Sequence, residues 1–323
     1  MSRTTLITGG AGLIGSALCE RALASGARVI VLDNLSTGRR ENLPESERVE
    51  LVHGDVCDDE LVGSLVRRAD RVFHLAAAVG VRLILERPTG TLRQSLLGTE
   101  IVLRHAAALR RPVFFASSSE VYGNAGNQPL REDQAVGFGS PETLRFSYAA
   151  GKAAGEALAF SYAAEYGLPV LVGRFFNVVG ENQQESQGAV VPSLFGQALR
   201  GGPLLVHGDG KQTRSFLDVE DAAEYVWRLM DRRLTDPDSP RGLFNIGRDD
   251  PITIGELAVL VRDLVDPALT IEEIEPDYAP GFAPIHHRRP AVSRLLSALD
   301  YRPRVPLPIT LRRFLRSRLP VAR

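Results

Sequence analysis

One stretch limits what this chain can fold into more than any other. Thr4-Thr5-Leu6-Ile7-Thr8 reads as a strand and Gly9-Gly10-Ala11-Gly12-Leu13-Ile14-Gly15 as a turn that opens a helix. That helix runs from Ser16 to Ser25 and stops at Gly26, and Arg28-Val29-Ile30-Val31-Leu32 is a second strand closed by Asp33. A glycine turn between strand and helix lets the backbone come close to a pyrophosphate, whose charge then sits at the helix N-terminus. Asp33 stands 24 residues after Gly9, about where a carboxylate accepts from an adenosine ribose hydroxyl. The stretch therefore predicts a dinucleotide-binding βαβ unit. Asn34, not an arginine, follows Asp33, which favours NAD over NADP because a 2′-phosphate would meet the carboxylate; Arg39 and Arg40, further on, argue the other way.

The alternation continues. Val49 to His53 is a short strand opening on Gly54-Asp55-Val56, and Asp59 to Arg68 is helical. Arg71 to Leu75 is a strand leading into Ala76-Ala77, Thr91 to Arg110 is a long helix, and Pro112 to Ala116 is a strand ending at Ser117-Ser118-Ser119-Glu120-Val121-Tyr122-Gly123. Strands alternating with helices at this pitch predict an α/β fold with a doubly wound parallel sheet, whose ligands lie at the strand C-terminal ends. The candidate polar groups fall at those ends.

Ser147-Tyr148-Ala149-Ala150-Gly151-Lys152 lies in an Ala/Gly-rich run expected to be helical, so Tyr148 and Lys152 share a face one turn apart. An ammonium there favours the phenolate and could make the tyrosine a base near neutrality. By itself the spacing also fits a surface tyrosine beside a solvated lysine. Lysine usage sharpens the first reading: of 38 Lys and Arg residues, lysine stands only at 152 and 211. Lys152 is thus a compact ammonium of tunable pKa in a chain that otherwise uses arginine.

With 323 residues, 44% hydrophobic residues and a net charge of −1, the chain is expected to be a soluble globular protein of one large or two ordinary domains. No basic excess suggests a nucleic-acid partner. The Arg-rich tail, with Leu311, Phe314, Leu315 and Leu319 among Arg312, Arg313, Arg316 and Arg318, reads as an amphipathic closing helix. Cys19 and Cys57 supply neither a disulfide framework nor metal-ligand spacing and read as buried small apolar residues. No metal site is expected. With no charged-then-apolar leader and no apolar run near membrane-spanning length, a cytoplasmic setting is expected and a membrane is not. After Asn177 the periodicity breaks into the polar loop Gly180-Glu181-Asn182-Gln183-Gln184-Glu185-Ser186-Gln187-Gly188, expected to be mobile and ordered by substrate. Helices are expected at Val191 to Leu199, Asp218 to Arg232 and Ile254 to Val265, and a strand at Leu204 to His207.

By the turn from Thr8 to Gly15, Asp33 to Gly38, Gly54-Asp55-Val56, His74-Leu75-Ala76-Ala77, Ser117 to Gly123 and Tyr148 to Lys152, the chain resembles the extended short-chain dehydrogenases/reductases of the nucleotide-sugar epimerase and dehydratase group. Arg174-Phe175-Phe176-Asn177, Val191-Pro192, Gly208 to Phe216 and Arg288-Arg289-Pro290 extend the likeness over nearly the full chain. The resemblance implies a Rossmann NAD-binding domain of residues 1–176 plus about 213–246. A smaller α/β nucleotide-sugar-binding domain would comprise about 177–212 and 247–323. It implies Tyr148 as base, Lys152 as the group that lowers its pKa and holds the nicotinamide ribose, and Ser118 on the sugar hydroxyl being oxidised. Read without the resemblance, the Ser run only caps a strand. Gly9, Gly12, Leu13, Ile14, Asp33, Asn34, Ser36, Thr37, Gly38, Asp55, Val56, Leu75, Ala76 and Ala77 would line NAD. Asn177, Val191, Leu205, His207, Arg214 and Arg288 would hold a nucleotide diphosphate, though His207 also reads as an ordinary strand-end residue. A homodimer is implied as well.

For the sugar, Val79 to Ile84 is similar to relatives acting on UDP-glucuronate, with Val81 beside it and Arg82 as a candidate clamp for the C6 carboxylate; a purely structural arginine fits too. Ser119-Glu120 is similar to the pair in UDP-glucuronate decarboxylases and sugar 4,6-dehydratases, where the acid assists the second step. Three departures stand out: Glu181-Asn182 where relatives have Pro-Arg, Ser95 for a usual Asn, and Ala291 for a usual Asp. The expectation is a UDP-glucuronate 4-epimerase working through a 4-keto intermediate. UDP-glucuronate decarboxylation comes second, followed by UDP-glucose 4-epimerisation and then dehydration. An NAD-binding regulator that has lost its chemistry is the rival of another class, against which the intact Tyr148 and Lys152 argue.

Overall fold

The structure, a computed structural model, describes residues 3–77, 80, 86–126, 129–137, 139–140, 142–144, 146–185, 188–235, 242–275 and 285–319. In chain order its strands are β1 (Thr4–Thr8), β2 (Arg28–Asp33), β3 (Val49–His53), β4 (Arg71–His74), β5 (Val113–Ser118), β6 (Val170–Phe175), β7 (Asn177–Val179), β8 (Leu204–His207), β9 (Thr213–Asp218), β10 (Gly242–Ile246), β11 (Pro251–Thr253), β12 (Ile271–Ile274) and β13 (His287–Arg288). Seven form one parallel sheet in the order β10-β6-β5-β4-β1-β2-β3. The connections run one way from β1 through β2 to β3 and the other way from β4 outward, so strand order reverses between β1 and β4. A crevice opens at such a switch point.

Period-two alternation sorts consecutive residues of each strand to opposite faces. Ile7, Val31, Phe73, Phe114 and Phe244 join one core with the helices Leu13–Ala24 and Val219–Thr235. Leu6, Ile30, Val72, Phe115 and Val172 join the other with the helices Asp59–Arg68, Pro88–Ala108 and Phe146–Tyr166. Both faces are therefore covered, which a parallel sheet requires.

A second, smaller assembly is built round β9, which pairs with β7, β11 and β13, beside a two-stranded β8–β12 sheet. Its core joins Phe195, Phe216, Leu257 and Val261 to Leu311 and Phe314 of the closing helix Leu307–Arg318. The Arg-rich tail thus forms the expected closing helix and buries Leu311 and Phe314, with Leu315 half-buried, while Leu319, just past the helix end, is exposed. Two boundaries differ from expectation. The chain rejoins the large sheet with the helix from Val219, not at about 213, because β9 is the hub of the small sheet. Residues placed with the small unit also return: Leu295, Ala298, Leu299 and Tyr301 pack into the core of the large sheet. Asp221 fixes that return by accepting from the Tyr301 hydroxyl and from the backbone N–H groups of Arg304 and Val305. Cys19 is buried and Cys57 half-buried, and both are free thiols. Among the described residues no helix is long and apolar enough to cross a membrane.

The first turn has no room for a side chain at Gly15. A Cβ on Gly15 would lie 2.3 Å from Gly9 O and 2.6 Å from Gly10 Cα. Gly90 sits in a helix with open space around it. We expect Gly15→Ala to lose about 1–3 kcal/mol by overpacking and Gly90→Ala to gain up to about 1 kcal/mol in helix propensity. Denaturant-unfolding midpoints of the two variants check both signs.

Candidate active site

The helix Leu13–Ala24 starts after Gly12 with no side-chain cap. Elsewhere Asp58 and Thr253 cap their helices by accepting from Leu61 N and Glu256 N. An uncapped N-terminus leaves backbone N–H groups for an anionic ligand. It opens into a cavity of about 290 Å3 lined by the C-terminal ends of β1, β2, β5 and β6. Of the sequence-derived cofactor residues, Gly9, Gly12, Leu13 and Ile14 line its floor. Asp33, Asn34, Ser36 and Thr37 line its wall after β2, and Val56, Leu75, Ala76 and Ala77 also face it. Gly38 and Asp55 support the wall from behind. Gly38 packs on Ala11, and the Asp55 carboxylate accepts from Asn34 Nδ2 at 3.0 Å and Cys57 N at 2.8 Å.

Asp33 is buried and ties the turn together, its Oδ2 accepting from Ala11 N and its Oδ1 from Leu35 N, each at 2.9 Å. Each oxygen keeps acceptor capacity for a ribose hydroxyl. Gly9 makes the close approach: a Cβ there would stand 2.7 Å from Ala76 N, and its φ is +72°. Uncapped helix, glycine floor and carboxylate together fit a dinucleotide of the NAD type.

The wall at Ala76 is held by a directed hydrogen-bond chain. Ala76 N–H donates to Thr8 Oγ1 (3.3 Å), which meets His74 Nδ1 (2.7 Å), while His74 Nε2 meets Thr99 Oγ1 (3.1 Å). Thr99 Oγ1 donates to Ser95 O (2.6 Å), so it accepts from Nε2–H, and Nδ1 accepts from Thr8. Burial, with the Lys152 charge adding to it, pushes the His74 pKa down to about 3, so the imidazole is neutral.

The same cavity takes in Ser118, Tyr148 and Lys152. Lys152 is buried and donates from Nζ to Ala116 O at 2.7 Å, with Nζ 5.1 Å from the Phe115 ring centre and 5.9 Å from that of Tyr148. Burial lowers its pKa to about 8, and Glu156 pulls the other way. Burial raises the Tyr148 pKa above its ordinary value, a hydrogen bond with Ser118 opposes that, and Glu120 adds to the rise. The Lys152 ammonium itself is aimed at a backbone carbonyl of β5.

Beyond Ser118 a 3-10 turn, Ser119–Tyr122, carries Ser119 and Glu120 away from the cofactor cavity. There the buried Arg288 donates from Nη1 to Ser119 Oγ (3.2 Å) and Glu120 Oε1 (2.9 Å), and from Nη2 to Gly123 O (3.0 Å). Arg214, its register partner on β9, donates to the carbonyls of Thr213, Ile285 and His286. Both arginines were expected on phosphates; in the structure the buried Arg288 and the half-buried Arg214 also donate to these protein oxygens. Of the other substrate residues, Asn177 is half-buried and its Oδ1 has no hydrogen-bond partner among the described residues. Val191 is buried in the small core, Leu205 half-buried, and His207 exposed at the end of β8. Val81 and Arg82 lie outside the described residues.

Sequence reasoning missed Gln94, Phe175, Val178 and Gln183 on the cavity wall. The described part of the polar loop, Gly180 to Glu185, makes contacts with the dinucleotide unit. Asn182 Nδ2 donates to Ser16 Oγ and Gln184 Nε2 to Thr37 O, each at 3.1 Å, and Arg318 reaches the carbonyls of Glu181 and Gln183. Amide side chains in the loop were the available signal, since they pair readily with backbone groups.

Comparison with known proteins agrees with this geometry. The chain is 36% identical over 309 residues to UDP-N-acetyl-alpha-D-glucosaminuronate decarboxylase of Bacillus cytotoxicus, covering 94% of each. It is 34% identical over 305 residues to UDP-glucuronic acid decarboxylase 1 of Arabidopsis thaliana, covering 94% of this chain and 66% of that protein's length. The solved structure of UDP-N-acetylglucosamine 4-epimerase from Methanobrevibacter ruminantium M1, in complex with UDP-N-acetylmuramic acid, matches with a TM-score of 0.86 at 28% identity over 98% of both chains. The sequence model of the NAD dependent epimerase/dehydratase family matches residues 5–247. With that match and an NAD-type cleft at the strand ends, the chain belongs to the NAD-dependent epimerase/dehydratase family of enzymes.

Proposed function

We propose that this enzyme is a cytoplasmic NAD-dependent UDP-uronate decarboxylase that oxidises C4 of UDP-glucuronate or its 2-acetamido counterpart and then releases C6 as CO2. The observation that carries this reading is the Glu120–Arg288 ion pair, 2.9 Å long and backed by Ser119, directly beyond Ser118. The two decarboxylases among the similar proteins support it.

In this mechanism Ser118 and Tyr148 take the C4 hydroxyl, Tyr148 removing its proton while Lys152 supplies positive charge beside it. Gly9, Gly12 and Asp33 would hold NAD, which would supply the reversible hydride chemistry at C4. The 4-keto uronate is a β-keto acid: its C5–C6 bond breaks, the bonding electrons pass into an enolate, and CO2 leaves. Arg288 places a cation where that negative charge moves, and Glu120 is the acid–base group at hand for the proton delivered to C5. Tyr148 then returns its proton to the C4 oxygen, giving UDP-xylose from UDP-glucuronate. A simple 4-epimerase requires neither the pair nor a proton at C5. The 4-epimerase reading nevertheless rests on the Val79 to Ile84 segment and stays the second one.

Residues 1–176 with about 219–246 would form the cofactor unit in this proposal, and the small sheets the sugar-nucleotide unit. A homodimer would use the helices Pro88–Ala108 and Phe146–Tyr166, whose Leu97 and Phe160 are exposed. If so, Phe160→Glu halves the molar mass measured by light scattering; an unchanged mass rejects that surface.

Incubation with UDP-glucuronate, and separately with UDP-N-acetylglucosaminuronate, followed by nucleotide chromatography and CO2 capture, separates the readings. The expected result is a UDP-pentose with equimolar CO2; UDP-galacturonate without CO2 would establish the epimerase instead. Tyr148→Phe is expected to keep NAD and UDP binding and to lose all turnover steps by orders of magnitude. Glu120→Gln should still oxidise C4, seen as reduced nicotinamide, while CO2 release falls about 100-fold, the scale of a lost acid–base group.

A further inference from the structure

Behind the Tyr148–Lys152 pair lies an ion pair to which this chemistry gives no task. Glu156 follows Lys152 by one helical turn and is 5% exposed. Its Oε1 accepts from Ser117 Oγ at 2.5 Å and from Arg174 Nε at 2.8 Å, and its Oε2 from Arg174 Nη2 at 2.7 Å. Arg174 comes from β6 and lies over the Tyr122 ring, 4.6 Å from its centre. Ser117 is the residue after Ala116, whose carbonyl receives the Lys152 ammonium. Two charged side chains on one helix turn are thus tied to consecutive residues of β5.

A buried ion pair is weak evidence for added stability, because removing two charges from water offsets most of their attraction. Its place beside a buried ammonium gives it a use. Lys152 is faced by the Phe115 ring from β5, by neutral His74 from β4, and by Tyr148 on its own helix. Arg174 stands on the far partner of the carboxylate, and Glu120 acts on Tyr148 from the 3-10 turn. Glu156 is the carboxylate that acts on the lysine.

We propose that Glu156 is a positioning residue that keeps Lys152 an ammonium seated on the Ala116 carbonyl, with Arg174 and Ser117 fixing the carboxylate in place. This rests on reading Tyr148 and Lys152 as the reacting pair. Burial draws the Lys152 pKa down to about 8, and the carboxylate opposes that fall. Without Glu156 the ammonium is lost at lower pH, so the alkaline limit of C4 oxidation moves down.

Lysine occurs only at 152 and 211, so lysine-selective isotope labelling yields two side-chain signals for NMR titration of the full-length protein at matched NAD content. Lys211 is exposed and paired with Asp209, which raises its pKa and makes it an internal reference. In Glu156→Gln the Lys152 midpoint is expected to fall by about one pH unit, a tenfold change in its protonation equilibrium, while Lys211 does not move. Glu156→Asp should recover most of the shift. An unchanged Lys152 midpoint in Glu156→Gln overturns the proposal. Should that variant not fold, with Arg174 stranded, the double variant Glu156→Gln/Arg174→Gln removes the pair together, and the same two outcomes decide. The titration requires no sugar nucleotide, so its failure and failure of the decarboxylase reading are independent results.

Discussion

The structure depends on one constraint: where β1 ends, the chain must become a helix with its first N–H groups bare and nothing between them and the neighbouring strand. Gly9 meets the Ala76 backbone and Gly15 meets the turn at distances no Cβ allows. Asp33 then fastens Ala11 to the far side of the same turn. The Gly9 contact joins the end of β1 to the segment after β4, across the reversal in strand order, and Asp33 joins the turn to β2 on the other side of β1. Crevice, anion-binding helix end and ribose acceptor are consequences of one packing problem solved at one place.

Opposite that floor, the reacting side is organised by buried charge. Lys152, Glu156, Arg174 and Arg288 are each 5% exposed or less. Buried charges persist only when neighbours answer them, and here the answers come from β5, β6, the 3-10 turn and the β13 segment. β5 with its following 3-10 turn, β6 and β13, distant from one another in sequence, are thereby held around Ser118 and Tyr148.

Much of this was legible beforehand, for reasons that differ by element. The bounds of β1, β3, β8 and the helix Ile254–Val265 follow from apolar period and from glycine or threonine at their ends, signals local to each segment. The cofactor wall was legible because its chemistry is strung along strand termini in order. What was not legible involves partners far apart in the chain. Arg214 and Arg288 announce cations, but nothing near them in sequence reveals the carbonyls of 285–286 and 123 that claim their donors. Glu156 and Arg174 lie 18 residues apart on different elements, so no helical or strand period links them. The short β11, β12 and β13 exist through pairing with β8 and β9, not through propensity of their own.

The imidazole beneath the cofactor wall is spoken for at both nitrogens. A proton cannot enter it without ejecting Thr8 from Nδ1, and reversing the chain would mean turning every hydroxyl between Ala76 and Ser95 at once. With its pKa near 3, His74 stays uncharged across the whole range in which cells live. Histidine, the side chain most often enlisted as a sensor of acidity, serves in this molecule as an uncharged brace between Thr8 and Thr99.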